Sequence, residues 1–243
     1  MLRDSGLLIQ GSLMVSCVTI TTGSDSIEIA IKCFLNQTYK FIELIIVSQA
    51  TREQNLTISE LIKPYSNIYF VPVPLHLNYG EMLNLSIELA HGDVICQWSA
   101  RDFYASTRVM SQFKALRENA IACVYNKYLI LVPETKEAYL LRNHELNCSI
   151  MFRKQIFHET ENCLYSESLD GDKEEILYNR LKSSGNIAFP SSGHEYCLVG
   201  KNFNIENCMS EKELLYNKNN IEKTLGPNVD VLDNKKTKVF TCL

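Results

Sequence analysis

Apolar and polar positions alternate along the first part of the chain in a pattern that predicts strands and helices in turn. The β-branched run at 15–20 ends in a polar turn with a glycine, which predicts a buried strand. Ser24 or Asp25 can cap the helix that follows, whose apolar residues recur at i, i+3 and i+4 up to Gln37. A second strand is predicted at 43–47. Strand, helix and strand at this spacing predict a βαβ unit with parallel strands.

The same alternation continues toward residue 100. Helices are predicted at 55–63 and 81–90, and strands at 68–73 and 94–98. Four strands interleaved with three helices predict the α/β class, with an open, mostly parallel sheet flanked by helices. Ligands of such sheets bind beyond the carboxyl ends of the strands. The positions expected to carry chemistry therefore follow the strands, at 21–22, 48–49, 74–80 and 99–102.

The predicted strands become shorter after residue 120, where polar, turn-like residues separate them. They lie at 122–125, 128–132, 138–141 and 148–153. This pattern predicts a small antiparallel excursion on the same sheet, and a helix follows at 173–183. One domain is therefore expected at 14–205, after an N-terminal extension at 1–13. The Asn-, Lys- and Glu-rich segment at 206–243 is expected to form a peripheral helix and tail.

Composition limits the class of partner. The chain has 243 residues, of which 46% are hydrophobic and 21% charged, as in ordinary globular proteins. The net charge of −4 gives no general attraction to a phosphate backbone, so no nucleic-acid partner is expected. The nine cysteines are scattered without a C-x-x-C pair, which is typical of buried thiols in a reduced, cytoplasmic protein. The five histidines show no zinc-binding spacing.

The sequence predicts no membrane span, because no stretch approaches the roughly 20 apolar residues required. The apolar run at 7–9 and Cys17 only partly match a lipoprotein signal, since the residues at 10–12 interrupt it. We expect a cytoplasmic protein and leave loose membrane association open.

Three stretches together resemble the family 2 glycosyltransferases, in particular the short bacterial enzymes of surface-polysaccharide assembly. The strands at 15–21 and 43–47, with the Asn-Gln-Thr-Tyr run at 36–39 between them, are similar to the first βαβ unit of the family. The segment at 83–98, with its Ala-His-Gly-Asp-Val-Ile run, is similar to the family segment that leads into the metal motif. The resemblance covers roughly residues 15–110 and extends more thinly to about 205.

This resemblance implies a GT-A (nucleotide-diphospho-sugar transferase) fold. It also implies a nucleotide-diphosphate sugar as donor, a glycan or lipid-linked acceptor, and transfer with inversion. The donor-binding half is then expected at 14–118 and the acceptor half at 119–205.

The nucleotide contacts of the family map onto polar residues of this chain. A family Asp that contacts the base after the second strand corresponds here to Ser48 or Gln49, which can also hydrogen bond a base. A family Asn corresponds to Asn84, which can contact the donor or simply cap its helix. Thr21, directly after the first strand, is a further expected donor contact.

The metal motif of the family, Asp-x-Asp-Asp, corresponds to residues 99–102. Its carboxylates hold Mn or Mg against the diphosphate in relatives, and here they are replaced at all but the last position. Ser99, Arg101 and Asp102 are expected at the donor, and no metal ligand is predicted, because one carboxylate beside an arginine is a poor divalent site. Asp102 can equally pair with Arg101 or Arg108.

A late family motif, whose His can join the metal, places Lys201 at the His position and keeps Asn204. Arg101 and Lys201 thus stand at two metal-ligand positions. They can bind the diphosphate directly in place of a metal, because Arg grips phosphate oxygens bidentately and Lys acts as a point charge. Alternatively, both positions drifted after catalysis was lost.

The candidate base is Glu174. Relatives place an acidic pair at the start of the late helix, and counting back from Arg180 puts Glu174 on the catalytic Asp, with Asp172 and Glu175 as nearby substitutes. Acidic residues at a helix start are also favoured by the helix dipole alone, so a structural role stays open.

The resemblance therefore implies a glycosyltransferase, in which transfer is independent of metal if Arg101 and Lys201 replace the ion. The alternative is a catalytically inactive GT-A-like module that binds a partner transferase or a glycan. The two differ in whether Ser48, Arg101 and Lys201 converge on one open cleft.

Overall fold

The computed structural model describes most of the chain up to residue 199 and three short segments beyond it. The described residues are 13–23, 27–116, 120–132, 137–159, 165, 173–191, 195–199, 212–216, 229–230 and 241–242.

Strands and helices alternate in the first half as the apolar pattern predicts. They are β1 (Val15–Thr21), α1 (Ile27–Leu35), β2 (Ile42–Ser48), α2 (Arg52–Ile62), β3 (Ile68–Pro72), α3 (Tyr79–Leu89) and β4 (Val94–Gln97). The strands pair in parallel in the order β3-β2-β1-β4. The α/β class with a parallel sheet flanked by helices is therefore confirmed.

Helices α2 and α3 begin earlier than the apolar pattern predicts, because each opens with a capping box. Thr51 accepts a hydrogen bond from the backbone N–H of Gln54, whose side chain accepts one from the Thr51 backbone. Asn78 and Glu81 make the same reciprocal pair at the start of α3. Each box satisfies N–H groups that a helix start leaves without partners, so the polar first turns are helical.

The second half contains longer strands than predicted, together with further short elements. In chain order they are β5 (Phe103–Tyr104), α4 (Arg108–Leu116), β6 (Ala122–Val132), β7 (Glu137–Arg153), α5 (Lys154–Glu159), α6 (Lys173–Ser184), β8 (Ile187–Ala188) and β9 (Tyr196–Val199). The polar pair at 126–127 does not end β6, because shifts of register against β7 accommodate it within the strand. Four predicted short strands are thus two long antiparallel ones.

These strands extend the same sheet. Antiparallel β7 lies beside β4, and β6, β9 and β5 follow in that order. Strand β10 (Lys212–Tyr216) pairs with β7, and β11 (Val229–Asp230) pairs with β12 (Thr241–Cys242). The described parts of 206–243, where a peripheral helix and tail were expected, are strands: β10 forms on the edge that the long β7 offers, and β11 and β12 pair with each other.

Helices cover both faces of the sheet, and an apolar core lies under each layer. Helices α1, α2 and α4 pack on one face, with Phe34 and Phe113 among the buried side chains. Helices α3, α5 and α6 pack on the other, with Leu83 and Leu177. No helix among the described residues is both long and apolar enough to cross a bilayer.

Gly92 lies where the loop before β4 touches β1, inside the Ala-x-Gly-Asp run. A Cβ atom there would be 2.6 Å from the backbone O of Met14 and 2.6 Å from Ser16 Oγ. The Gly92 N–H donates to Ser16 Oγ at 2.8 Å, and the Ser16 hydroxyl donates to the buried Glu43 carboxylate at 2.5 Å. Glu43 also accepts from the His91 backbone N–H at 2.6 Å. Only a glycine fits this network, which supplies the donors a buried carboxylate requires.

We expect Gly92→Ala to lower the free energy of unfolding by about 1–3 kcal/mol, because the added methyl group meets backbone that cannot move aside. Urea denaturation measures the change. Gly185→Ala is the matched control and should cost less, since its Cβ would meet only the Ile121 side chain, at 3.1 to 3.4 Å. Equal stability of Gly92→Ala and the wild type would contradict this account.

Candidate functional site

A cavity of about 330 Å³ opens at the carboxyl ends of β1 and β4, the edge where the strand pattern places a ligand. Its walls come from the end of β1 with Thr22, from 97–102 after β4, from Tyr79 and Leu83 of α3, from β7 and from α6. Four of the residues predicted for the site line this cavity: Ser99, Arg101, Asp102 and Glu174.

Glu174 enters the cavity from the first turn of α6. Its Oε1 accepts hydrogen bonds from Gln97 Nε2 at 2.9 Å and from the Tyr79 hydroxyl at 3.1 Å. Burial removes water from the Tyr79 hydroxyl, and this is the main reason why the pKa of Tyr79 is raised; the negative charge of Glu174 raises it further. The phenol therefore stays protonated and can donate. Two donors from α3 and β4 therefore fix a carboxylate that belongs to a later helix.

Gln97 is buried and in turn held by Tyr165. The Tyr165 hydroxyl donates to Gln97 Oε1 at 3.2 Å, which leaves the Gln97 amide N–H pointing toward Glu174. Neither residue belongs to the site predicted from the sequence. The one available signal was a polar residue, Gln97, that ends an otherwise apolar strand directly before the motif.

The segment after β4 is tightly bonded. The Ser99 N–H donates to the Tyr104 hydroxyl oxygen at 2.8 Å, and Ser99 Oγ accepts from the Arg101 N–H at 3.2 Å. Asp102 is only 3% exposed, and its Oδ2 accepts from the Tyr196 hydroxyl at 2.7 Å. Arg101 is exposed at the cavity and Ser99 is half-buried there, so a ligand in solution can reach both.

Behind this segment lies the fully buried guanidinium of Arg108. It stands 4.0 Å from the ring centroid of Tyr104 and 4.7 Å from those of Trp98 and Tyr196. Its Nη2 donates to the backbone O of Gln97 at 2.6 Å. Aromatic faces stabilise a cation that has lost its water. A charge buried in this way is screened by salt far less than an exposed one, so Arg108 adds positive potential beneath the cavity.

A divalent metal does not fit the donors at 99–102. The single carboxylate of Asp102 is engaged by Tyr196, and Arg101 is its neighbour in sequence. Hard cations such as Mg and Mn require several oxygen ligands at short distance. Within the part of the chain that the structure describes, no group of three or more His, Cys, Asp or Glu side chains could hold a metal ion.

The two residues predicted to contact a base, Ser48 and Gln49, make hydrogen bonds to neighbouring segments of the protein. Ser48 is fully buried, and its hydroxyl donates to Asn55 Oδ1 at 2.7 Å in the turn into α2. Gln49 Nε2 donates to the backbone O of Leu77 at 2.7 Å and of Pro74 at 3.0 Å, which ties down the loop before α3.

Thr21 is buried as well, and its Oγ accepts from the Gly23 N–H at 3.1 Å, whereas the next residue, Thr22, lines the cavity. Lys201 and Asn204 lie outside the described residues. Of the three residues expected to converge on a cleft, Arg101 lines it, Ser48 is sealed away from it, and Lys201 is not described.

Asn84 lies in the middle of α3, whose N-cap is Asn78, so the capping alternative is wrong. Its amide forms a two-way pair with the backbone of Tyr165: Nδ2 donates to the carbonyl O at 3.1 Å, and Oδ1 accepts from the N–H at 2.9 Å. Asn84 is buried and thereby anchors the residue that orients Gln97. It acts on the cavity through Tyr165, while Leu83 lines the wall directly.

Comparisons with known proteins identify shared structure. Neither a protein-family model nor a curated protein matches the chain. The structure of S. aureus TarS 1-349 matches with a TM-score of 0.62 and 11% identity, over 77% of this chain and 60% of that one. The complex of TarS 1-349 with UDP-GlcNAc matches with a TM-score of 0.58 and 11% identity, over 82% and 62%.

The mannosyltransferase PcManGT from Pyrobaculum calidifontis, in complex with GDP-Man and Mn2+, matches with a TM-score of 0.58 and 12% identity, over 79% of this chain and 57% of that one. The chain thus spans about three-fifths of each of these structures. At this level of identity the likeness concerns the fold, and the predicted GT-A fold is confirmed.

We expect Asn84→Ala to lower the free energy of unfolding by about 1–3 kcal/mol, because the backbone N–H and C=O of Tyr165 lose their partner in a buried place. Urea denaturation measures this loss. Asn36→Ala, an exposed position after α1, is the matched control and should change the stability by less than about 0.5 kcal/mol. A loss no larger than that of the control would contradict the anchoring role.

Proposed function

We propose that this chain is a glycosyltransferase of the family 2 type. It would move a sugar from a nucleotide-diphosphate sugar to a hydroxyl of a glycan or lipid-linked acceptor, with inversion, in the assembly of bacterial surface glycans. The observation that carries the proposal is the Glu174 carboxylate, fixed by Gln97 and Tyr79 in the cavity that Arg101 also lines. Solved structures that hold UDP-GlcNAc or GDP-Man share the fold.

The proposed reaction is a single displacement. Glu174 accepts the proton of the acceptor hydroxyl as its oxygen attacks the anomeric carbon. The bond from that carbon to the diphosphate oxygen breaks on the opposite face, and the nucleoside diphosphate leaves with the electron pair. Because attack and departure occur on opposite faces, the anomeric configuration is inverted. Charge that develops on the leaving diphosphate is met by Arg101 directly and by Arg108 through its field.

In this proposal, the cations perform the task that a divalent ion performs in relatives. Arg101 is exposed at the cavity, and its guanidinium can donate two parallel hydrogen bonds to phosphate oxygens. Lys201, at the position of the family His, is proposed as a second contact. Transfer is therefore proposed to be independent of metal.

A second candidate function, a catalytically inactive GT-A-like module that binds a partner transferase or a glycan, is favoured by one observation. Ser48 and Gln49 occupy the positions where relatives contact the base, and both are bonded to their own loops. A chain without a base contact would bind nucleotides poorly. Nucleotide binding therefore distinguishes the two candidates.

We expect UDP-GlcNAc or GDP-mannose to raise the Tm of the protein equally with and without EDTA, since a ligand of the native state stabilises it. Arg101→Ala should weaken Kd by roughly 10- to 150-fold, the equivalent of about 1.5–3 kcal/mol for hydrogen bonds to a charged group. Arg52→Ala, an exposed arginine on α2, is the control and should leave Kd unchanged.

A Tm shift that EDTA abolishes would contradict metal independence. Absence of any shift with a panel of nucleotide sugars would overturn the transferase proposal and favour the inactive module.

We expect Glu174→Gln to lower the rate of nucleoside diphosphate release from the bound donor, measured with added oligosaccharides, by roughly 10²- to 10⁴-fold. The amide keeps the size of the side chain but cannot accept the proton, and it removes a negative charge from the cavity, so donor binding should not weaken while the rate falls. Glu88→Gln, on the exposed side of α3, is the control. An unchanged rate in Glu174→Gln would show that another group is the base.

A further inference from the structure

A second cavity, of about 500 Å³, lies beside the first and is formed by β6, β7, α6 and the segment that follows β8. This volume falls within the roughly 300–1,000 Å³ typical of small-molecule sites. Nothing in the reaction proposed above uses it.

The two cavities share their walls. Cys148 of β7 lines the first cavity, and its neighbour Asn147 lines the second. Glu174 of α6 lines the first, and its neighbour Glu175 lines the second. Consecutive residues of a strand point to opposite sides, and consecutive residues of a helix diverge by about 100°. The candidate base therefore stands at the border between the two cavities.

The side chains of the second cavity have the chemistry that recognises a sugar. Three are amides, which each present a donor and an acceptor to neighbouring hydroxyls: Asn126, Asn147 and Asn179. Two are carboxylates, Glu145 and Glu175, which accept from hydroxyls. Asn126 lies where the register of β6 shifts against β7, and such irregularities re-aim side chains beside functional sites.

Two aromatic side chains complete the wall. Phe189 is 39% exposed, so its ring offers an apolar face at the mouth of the cavity. Tyr178 is only 3% exposed, and its burial is the main cause of a raised pKa. The neighbouring Glu145 carboxylate raises the pKa of Tyr178 further, so the hydroxyl stays protonated. The apolar C–H face of a pyranose packs against such rings, while its hydroxyls face the polar groups.

One polar atom of this wall lacks a partner. Asn147 Oδ1 is buried and makes no hydrogen bond to the residues that the structure describes, whereas the Tyr178 hydroxyl has the Glu145 carboxylate beside it. Buried polar atoms in folded proteins are almost always paired. A ligand rich in hydroxyl groups would supply the partner that Asn147 lacks.

The charges of the cavity select among sugars. Two side chains that line the cavity, Glu145 and Glu175, are carboxylates, and Lys182, 3.2 Å from Glu145, offsets one of them. A uronate or a phosphorylated sugar would meet like charge here, which disfavours binding.

We propose that this second cavity is a saccharide subsite for a neutral pyranose, held beside Glu174. Its assignment as the acceptor subsite rests on the proposed transferase function, whereas saccharide binding stands on the cavity itself. The hydroxyl presented to Glu174 would belong to this pyranose or to the residue joined to it.

The test is saturation-transfer difference NMR on the full chain with methyl glycosides of glucose, galactose, mannose and N-acetylglucosamine, followed by titration for Kd. At least one neutral glycoside should bind, and more tightly than methyl glucuronide. Phe189→Ala should weaken its binding roughly 3- to 10-fold through loss of ring packing. Asn179→Ala, at another exposed position of the wall, should weaken it as well.

Phe41→Ala is the matched control, since Phe41 is an exposed aromatic residue (50%) that does not line the cavity, and it should bind as the wild type does. Absence of binding for every neutral glycoside, equal binding by Phe189→Ala and Phe41→Ala, or a preference for the glucuronide would each overturn the subsite.

Tm shifts with UDP-GlcNAc and GDP-mannose, measured on the same variants, separate the two proposals. Nucleotide-sugar binding without glycoside binding rejects the subsite alone. Glycoside binding without nucleotide-sugar binding supports the subsite and rejects the transferase.

Discussion

The candidate site depends on one buried amide, the side chain of Gln97. Its Nε2 donates to Glu174, its Oε1 accepts from Tyr165, and its backbone O accepts from Arg108. An amide carries its donor and its acceptor on two different atoms, so it can join a hydroxyl donor to a carboxylate acceptor. In a place with little water, each of these bonds is stronger than at the surface and each lost partner costs more. Strand β4 thereby sets the position of a group on α6.

This arrangement couples the two halves of the domain. Asn84, in the first half, fixes the backbone of Tyr165 in the second, and the Tyr165 hydroxyl then reaches back to Gln97 on β4. Each of these hydrogen bonds joins a residue of one half to a residue of the other. The carboxylate proposed as base is accordingly oriented by the half of the fold expected to hold the donor, so a change in the packing of α3 should reach the chemistry through hydrogen bonds.

Much of the fold could be predicted from the sequence, because apolar periodicity reports directly on which positions are buried. The four parallel strands and α1 follow from this signal alone. Helix α4 was missed although its buried Val109, Phe113 and Leu116 recur at helical spacing. Its buried Arg108 was not predictable, because that burial is explained by rings that come from distant parts of the chain. Two short strands were predicted where β6 is one continuous strand, because the same polar residues occur in β-bulges and in turns.

The candidate site was predictable in location more than in detail. The residues after β4 and at the start of α6 do line one cavity, as topology requires of strand ends and a facing helix. Which neighbour points inward was not predictable: Thr22 lines the cavity and Thr21 does not, and Ser48 turns to Asn55. Side chains alternate along a strand, so an uncertainty of one residue reverses the side on which a group lies.

If residues 99–102 stand where the family has its metal motif, as proposed, the balance of charge gives their substitution a physical meaning. In the family pattern, three motif carboxylates and a base are only partly offset by a divalent ion, which leaves a site of about −2 beside the diphosphate. Here, two guanidiniums, Arg101 and Arg108, offset the two carboxylates of Asp102 and Glu174. The named groups of this cavity thus carry no net negative charge that a metal would have to offset before an anion binds. In the proposed correspondence, a chain that kept the motif carboxylates without the metal would repel the donor.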